Sequence, residues 1–106
     1  MSTDRELLEM AAKAAGVEYN TSYGKGLWVG EFYSGREWNP LTDDGDALRL
    51  AVKLHLHIHV DNGYGTAVRR PDQIWHACEA HKYGGLEVAT RRAIVRAAAA
   101  IGEAMT

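Results

Sequence analysis

The chain has 106 residues, 46% hydrophobic and 25% charged, with 12 basic against 14 acidic side chains and a net charge of -2. A length of this order supports one core and hence a single domain over 1–106, and the near-balance of charge argues against a dedicated nucleic-acid binder, which carries a basic excess. The lone Cys78 excludes an intramolecular disulfide and suits a reduced, partly buried thiol, while the charged start MSTDRELLEM and the lack of a long apolar run point to a soluble, cytoplasmic protein without membrane contact.

In chain order, Thr3 followed by Glu6 is a capping-box pattern, and Leu7, Leu8, Met10, Ala11 and Ala14 continue with helical periodicity to a natural stop at Gly16. This predicts a first helix over about 3–15. The aromatic and β-branched stretch VEYNTSYGKGLWVGEFY predicts two strands, near 17–23 and 27–33, joined at Gly24-Lys25-Gly26. Gly-Lys is not a phosphate loop here, because no serine or threonine follows the lysine.

SGREWNPLTDDGD reads as a loop, with Pro40 excluding Asn39 from helical backbone and Thr42 or Asp43 available to cap a second helix over about 43–53. Leu48, Ala51 and Val52 are its expected buried stripe, with Arg49 and Lys53 outside. The carboxylates Asp43, Asp44 and Asp46 read as capping and dipole partners, since the ligand spacing of a calcium loop is missing. A hairpin follows: strand 54–60, a turn at Asp61-Asn62-Gly63, and a strand near 64–69. Residues 73–83 suit either a strand or a short helix, with the tryptophan favouring the strand. LEVATRRAIVRAAAAIGEAM is a third helix, with Ile94, Ala98, Ile101 and Met105 on one face and Arg92 and Arg96 opposite. The resulting class is α+β, a mainly antiparallel sheet with three helices in the order α-β-β-α-β-β-(β)-α.

LHLHIHVD sets His55, His57 and His59 at two-residue spacing, so in a strand they share one face and Leu54, Leu56, Ile58 and Val60 share the other. If helices cover the aliphatic face, the histidines line an open one. A metal reading meets a geometric limit. Same-face neighbours stand about 6.7 Å apart, so the outer pair starts about 13 Å apart, while zinc needs each nitrogen at about 2.0–2.1 Å. Two of the three would need a further ligand from His76, Cys78, His81, Asp61 or a second copy. A wet strand face or a subunit interface is the plainer account, so no cofactor is expected, with zinc as the less favoured alternative.

The arginines Arg69, Arg70 and Arg91 would suit a phosphate-bearing ligand if the fold brought them together. Tyr19, Tyr23, Trp28, Trp38 and Trp75 offer stacking surfaces, most of them expected in the core, with Trp38 beside Asn39-Pro40 the one expected at the surface or at a structural pivot. Ser2, Ser22 and Ser34 sit in no nucleophile pattern, and Cys78 has no assigned base.

WNPLTDDGDALRLAVKL (38–54), ATRRAIVRAAAAIGEAM (89–105) and ELLEMAAKAAGVEY near the start together resemble a family of small proteins encoded by tailed phages and prophages, with a more distant likeness to NinX-type phage proteins. The resemblance covers the three helices, nearly half the chain, and implies a phage or prophage accessory protein in the host cytoplasm. It brings no catalytic residue or cofactor to carry over. His55 to Tyr83 match no part of that pattern.

The leading expectation is therefore a non-enzymatic protein that binds a host protein, with His55, His57, His59, Trp38, Arg69, Arg70 and Arg91 as candidate binding residues. A second is a protein that sequesters a nucleotide or other small ligand, which requires Arg69, Arg70 and Arg91 around one pocket. A third is a metal-binding protein or enzyme built on the histidine strand, with His55, His57, His59, His76 and Cys78 as possible ligands. Nucleic acid is not an expected partner, and a homodimer is slightly favoured over a monomer.

Overall fold

The computed structural model describes residues 3–22, 26–31, 34–61 and 63–105. Its elements are α1 (Asp4–Ala15), β1 (Leu27–Val29), β2 (Arg36–Trp38), α2 (Asp44–Lys53), β3 (His57–Asp61), β4 (Gly65–Arg69), β5 (Trp75–Glu79), α3 (Ala80–Tyr83) and α4 (Leu86–Ala104). The class is α+β, with two antiparallel sheets ordered β1-β2 and β3-β4-β5. None of the described helices is long and apolar enough to cross a membrane.

The first helix forms as its caps predict. The Thr3 hydroxyl accepts from the Glu6 amide at 3.1 Å and the Thr3 amide donates to Glu6 Oε1 at 2.9 Å, satisfying two amides that an uncapped helix leaves open. Gly16 closes the helix with φ 69°, in the left-handed region that a glycine enters without a Cβ penalty. The long α4 is the hub of the fold: α1 lies along one side of it, β4 and β5 along another. Small residues make that approach close. Ala11, Ala12 and Ala15 of α1 and Ala93, Ala97 and Ala98 of α4 are buried, and a Cβ at Gly102 would collide with the Met10 carbonyl oxygen.

Several expectations are corrected. The loop read over SGREWNP contains β2, and the hairpin partner of β1 is this strand rather than 17–23, in the register Leu27↔Trp38, Trp28↔Glu37, Val29↔Arg36. Residues 17–22 contribute only the Asn20↔Trp28 bridge. The reversal occurs instead beside Gly30, at φ 89°, with the Gly35 amide donating to the Glu31 carbonyl at 2.6 Å. Tyr23 of the first expected strand, Gly24 and Lys25 of the expected turn, Phe32 and Tyr33 of the second expected strand, and Asn62 of the later turn lie outside the described residues.

The second correction concerns the orientation of α2. Its buried residues are Asp46, Ala47, Leu50 and Ala51, while Leu48 and Val52, expected inside, are 61% and 67% exposed. Asp46 explains the rotation. Its carboxylate accepts from Arg36 Nη2 at 2.6 Å, Arg36 Nη1 at 3.0 Å, the Asn39 amide at 3.0 Å and Arg49 Nη2 at 3.0 Å. Four donors draw an acidic position inward, so the buried stripe becomes 47/50/51 and the next positions round the helix face outward. The cap itself is Asp43, whose Oδ2 accepts from the Asp46 amide at 2.8 Å.

The third is the start of the histidine strand. Leu54 to Leu56 end α2: the His55 amide donates to the Val52 carbonyl and the Leu56 amide to the Ala51 carbonyl, with His55 at φ 55°. That is a Schellman stop with histidine at the left-handed position, and it removes His55 from the strand. Residues 73–83 resolve into both readings, β5 followed by the single turn α3. In α4, Ile94 and Ala98 are buried as expected, but Met105 is exposed, and Arg92 and Arg96 stack over Tyr83 at 5.4 and 5.2 Å rather than facing solvent. A helix packed on several sides has no single apolar stripe.

Candidate functional site

The three-stranded sheet sorts its residues by parity. Its register runs His57↔Arg69 and Arg69↔Trp75, His59↔Ala67 and Ala67↔Ala77, Asp61↔Gly65 and Gly65↔Glu79 on one face. The alternate rows, Ile58↔Val68↔His76 and Val60↔Thr66↔Cys78, form the other. The second face turns toward α4: Val68, Thr66 and Cys78 are buried, and the Thr66 hydroxyl meets that of Thr90 at 2.6 Å. The Thr90 hydroxyl in turn donates to the Leu86 carbonyl at 2.8 Å, so Thr66 is the donor of the pair.

The first face is open. His57, His59 and Trp75 are exposed, Trp75 by 54%, over a floor of Ala67 and Ala77 that has almost no side-chain relief. Arg69 stands between His57 and Trp75, with Nη1 donating to Gln73 Oε1 at 2.6 Å. Asp61 and Glu79 occupy the far row, about 13 Å away along the strands. The face is therefore flat and aromatic, with imidazole and guanidinium groups at one end and carboxylates at the other.

Four sequence-predicted residues lie elsewhere. His55 sits in the stop of α2. Trp38 is 6% exposed and ends β2 inside the core, so its structural role replaces the surface one. Arg91 is a clamp: its Nε donates to the Leu41 carbonyl at 2.9 Å and its Nη1 pairs with Asp44 Oδ1 at 2.6 Å. Arg70 pairs with Asp72 at 2.5 Å beside Ile101 and Met105. Arg69, Arg70 and Arg91 thus occupy three separate places and line no common pocket, which removes the condition set for a sequestering site.

The possible metal ligands are divided as well. His76 and Cys78 lie under the sheet, on the opposite face from His57 and His59. Burial, then the nearby Arg70 and Arg96, lowers the His76 pKa, with Asp72 acting in the opposite sense. Burial raises the Cys78 thiol against the pull of Arg96 and Arg92, and Arg96 Nη1 stands 3.8 Å from its sulfur. Among the described residues no three of the His, Cys, Asp and Glu side chains are placed to hold one ion.

Sequence reasoning missed a second surface. Leu48 of α2, Ile58 and Val60 of β3, and Leu86 and Ile94 of α4 line a hollow of about 370 Å³, with Asp44, Glu87 and Arg91 among its lining. Ile58 and Val60, expected in the core, are 39% and 51% exposed because β3 lies at the sheet edge, where α4 backs it less fully than it backs β4 and β5. One signal was available. Ala47, Leu48, Leu50, Ala51, Val52 and Leu54 are more apolar positions than one helix face can bury, so some had to face outward. Comparison with family models, curated proteins and solved structures returns no match for this chain.

Proposed function

We propose that the chain is a non-enzymatic accessory protein of phage or prophage origin that acts in the host cytoplasm by binding a host protein through the open face of β3-β4-β5. The observation that carries this reading is the face itself: His57, His59, Arg69 and Trp75 project over a floor of alanine. A flat floor admits a partner close to the sheet, and a rigid aromatic beside an arginine is the residue pair most often found at the centre of a protein interface. The partner fitted to it is a folded protein surface with an acidic patch opposite the His57–Arg69 end and a basic group opposite Asp61 and Glu79.

The helices and the β1-β2 hairpin serve as scaffold, which is where Asp46, Arg91 and Trp38 are used. Nothing favours the ligand-sequestering or metal readings over this one, since their residues do not converge.

The test is quantitative. A host protein captured on the immobilised chain is purified and titrated with wild type and with the double variant Arg69→Glu, Trp75→Ala. Loss of two central contacts predicts ~30-fold or more weaker binding, about 2 kcal/mol. Unchanged affinity in the double variant overturns the assignment of this face.

A further inference from the structure

We infer that β3 is a dimerisation seam: two copies pair β3 with β3 antiparallel about a two-fold axis through His59, joining two three-stranded sheets into one of six strands. The inference stands on the strand edge and the hollow beneath it, and does not depend on the host-protein reading.

β3 is an edge strand, and its outer side carries unpaired backbone amides and carbonyls, a template for another strand. Natural edges that stay single are blunted by lysine, proline or a bulge. This edge has none of these: its sequence is His-Ile-His-Val-Asp, its register against β4 is unbroken from His57 to Asp61, and all five residues are exposed. The strand is long enough, about 17 Å, for a full set of pairing contacts.

The occupant follows from the order of the residues. Antiparallel pairing about His59 sets His57 of one copy against Asp61 of the other, twice by symmetry, and Ile58 against Val60. A histidine faces a carboxylate on one face of the seam, where an imidazole N–H can donate to it, and aliphatic side chains meet on the other. Paired residues in this register are both odd or both even in number, so whichever set of backbone groups points outward on one copy meets the same set on the other. Moving the axis to Val60 sets His59 against Asp61 but leaves His57 and Ile58 past the end of the partner strand, and moving it to Ile58 sets His57 against His59, so the axis at His59 is the one that pairs all five residues. The strand is thus self-complementary in its polar pairs, in its apolar side and in hydrogen-bonding parity.

The underside supports the same occupant. Leu48 lines the hollow with Ile58 and Val60, and Val52 continues the same face of α2 one turn on. Exposed aliphatic side chains grouped at an unpaired edge are an aggregation hazard in a monomer. In the two-fold pair, Ile58 and Val60 of both copies meet at the seam and the two α2 faces flank it from below. The open faces carrying His57, His59, Arg69 and Trp75 then lie side by side on the joined sheet.

Two measurements test the seam. The first is disulfide trapping. Cys78 is buried, so an introduced cysteine reports its own position. His59→Cys puts two thiols directly across the axis, within the reach of a disulfide, and His57→Cys puts its two copies about 13 Å apart, out of reach. Oxidation is expected to link His59→Cys into a covalent dimer and to leave His57→Cys unlinked. Equal linking of both, or of neither, overturns the register. The second is sedimentation of wild type and Val60→Lys, with circular dichroism to confirm that both fold. Wild type is expected as a dimer at micromolar concentration and Val60→Lys to dissociate ~10-fold or more readily. A folded wild type that stays monomeric overturns the inference.

Discussion

Replacing Asp46 by asparagine isolates the interaction that orients α2. The side chain is 1% exposed, so its charge is held by donors rather than by water. Burial alone would raise its pKa; the Arg36 guanidinium, the Asn39 amide and Arg49 outweigh that and bring the carboxyl from 3.8 down to about 2. The native state therefore favours the ionised form by ~2 kcal/mol relative to an ordinary carboxylate. Because the folded pKa is depressed, this stability is fully present above the unfolded value near 4 and is lost as pH falls through about 2. Asparagine keeps the shape and one acceptor but removes the charge, so Asp46→Asn is expected to cost ~2 kcal/mol at pH 7. At ~4–8 °C per kcal/mol for a domain of about this size, Tm falls by ~8–16 °C. Thermal melts followed by circular dichroism at pH 7, 4 and 2.5 test this, with the gap between variant and wild type narrowing toward the lowest pH. Equal melting at pH 7, or an undiminished gap at pH 2.5, would refute the reasoning.

Gly102→Ala inverts the usual helix preference. Alanine normally gains ~1 kcal/mol over glycine in a helix interior, but here the new Cβ meets the Met10 carbonyl oxygen, and a loss of ~1–3 kcal/mol is expected in a denaturant titration. Thr66→Val removes the donor to Thr90 while keeping the shape, and a loss of ~1 kcal/mol should appear as a lower denaturation midpoint at constant slope. His76, with its pKa lowered by burial and by Arg70 and Arg96, resists protonation in the fold. Its contribution is intact above the unfolded value near 6.5 and declines as pH falls below it, so His76→Gln should flatten that part of the stability profile. Trp75→Ala should leave stability within ~0.5 kcal/mol by the same titration, since its ring packs mostly against solvent.

The parts of the fold legible in the sequence are those decided by short-range chemistry. Thr3 and Glu6 announce the start of α1 and Gly16 its end, and each works as its residue type dictates. The β3-β4 hairpin and the alternation of His57 and His59 against Ile58 and Val60 are also local and were readable. Long-range decisions were not. The inward turn of Asp46 requires Arg36, ten residues away on strand β2, and nothing in the helical spacing of α2 announces that partner. Once Asp46 turns in, Leu48 and Val52 must turn out, so one unforeseen ion pair displaced two of the three expected stripe positions and left only Ala51 inside. His55 was lost to the strand because a non-glycine residue closes the helix in the left-handed region, a position where glycine is the ordinary signal. The exposed underside of β3 depends on how far α4 extends beneath the sheet, which is a matter of packing and not of pattern.

The most direct test of the binding reading is site-specific photo-crosslinking in host extract, with the photoreactive residue placed at Ala77 on the open sheet face or at Glu18 beyond the end of α1. Both positions are exposed, so the two probes differ in location and not in access. Recognition through the sheet predicts a discrete host adduct from position 77 that disappears when Arg69→Glu and Trp75→Ala are added, and none from position 18. Adducts of equal yield from both positions, or an adduct at 77 that survives those substitutions, would contradict it.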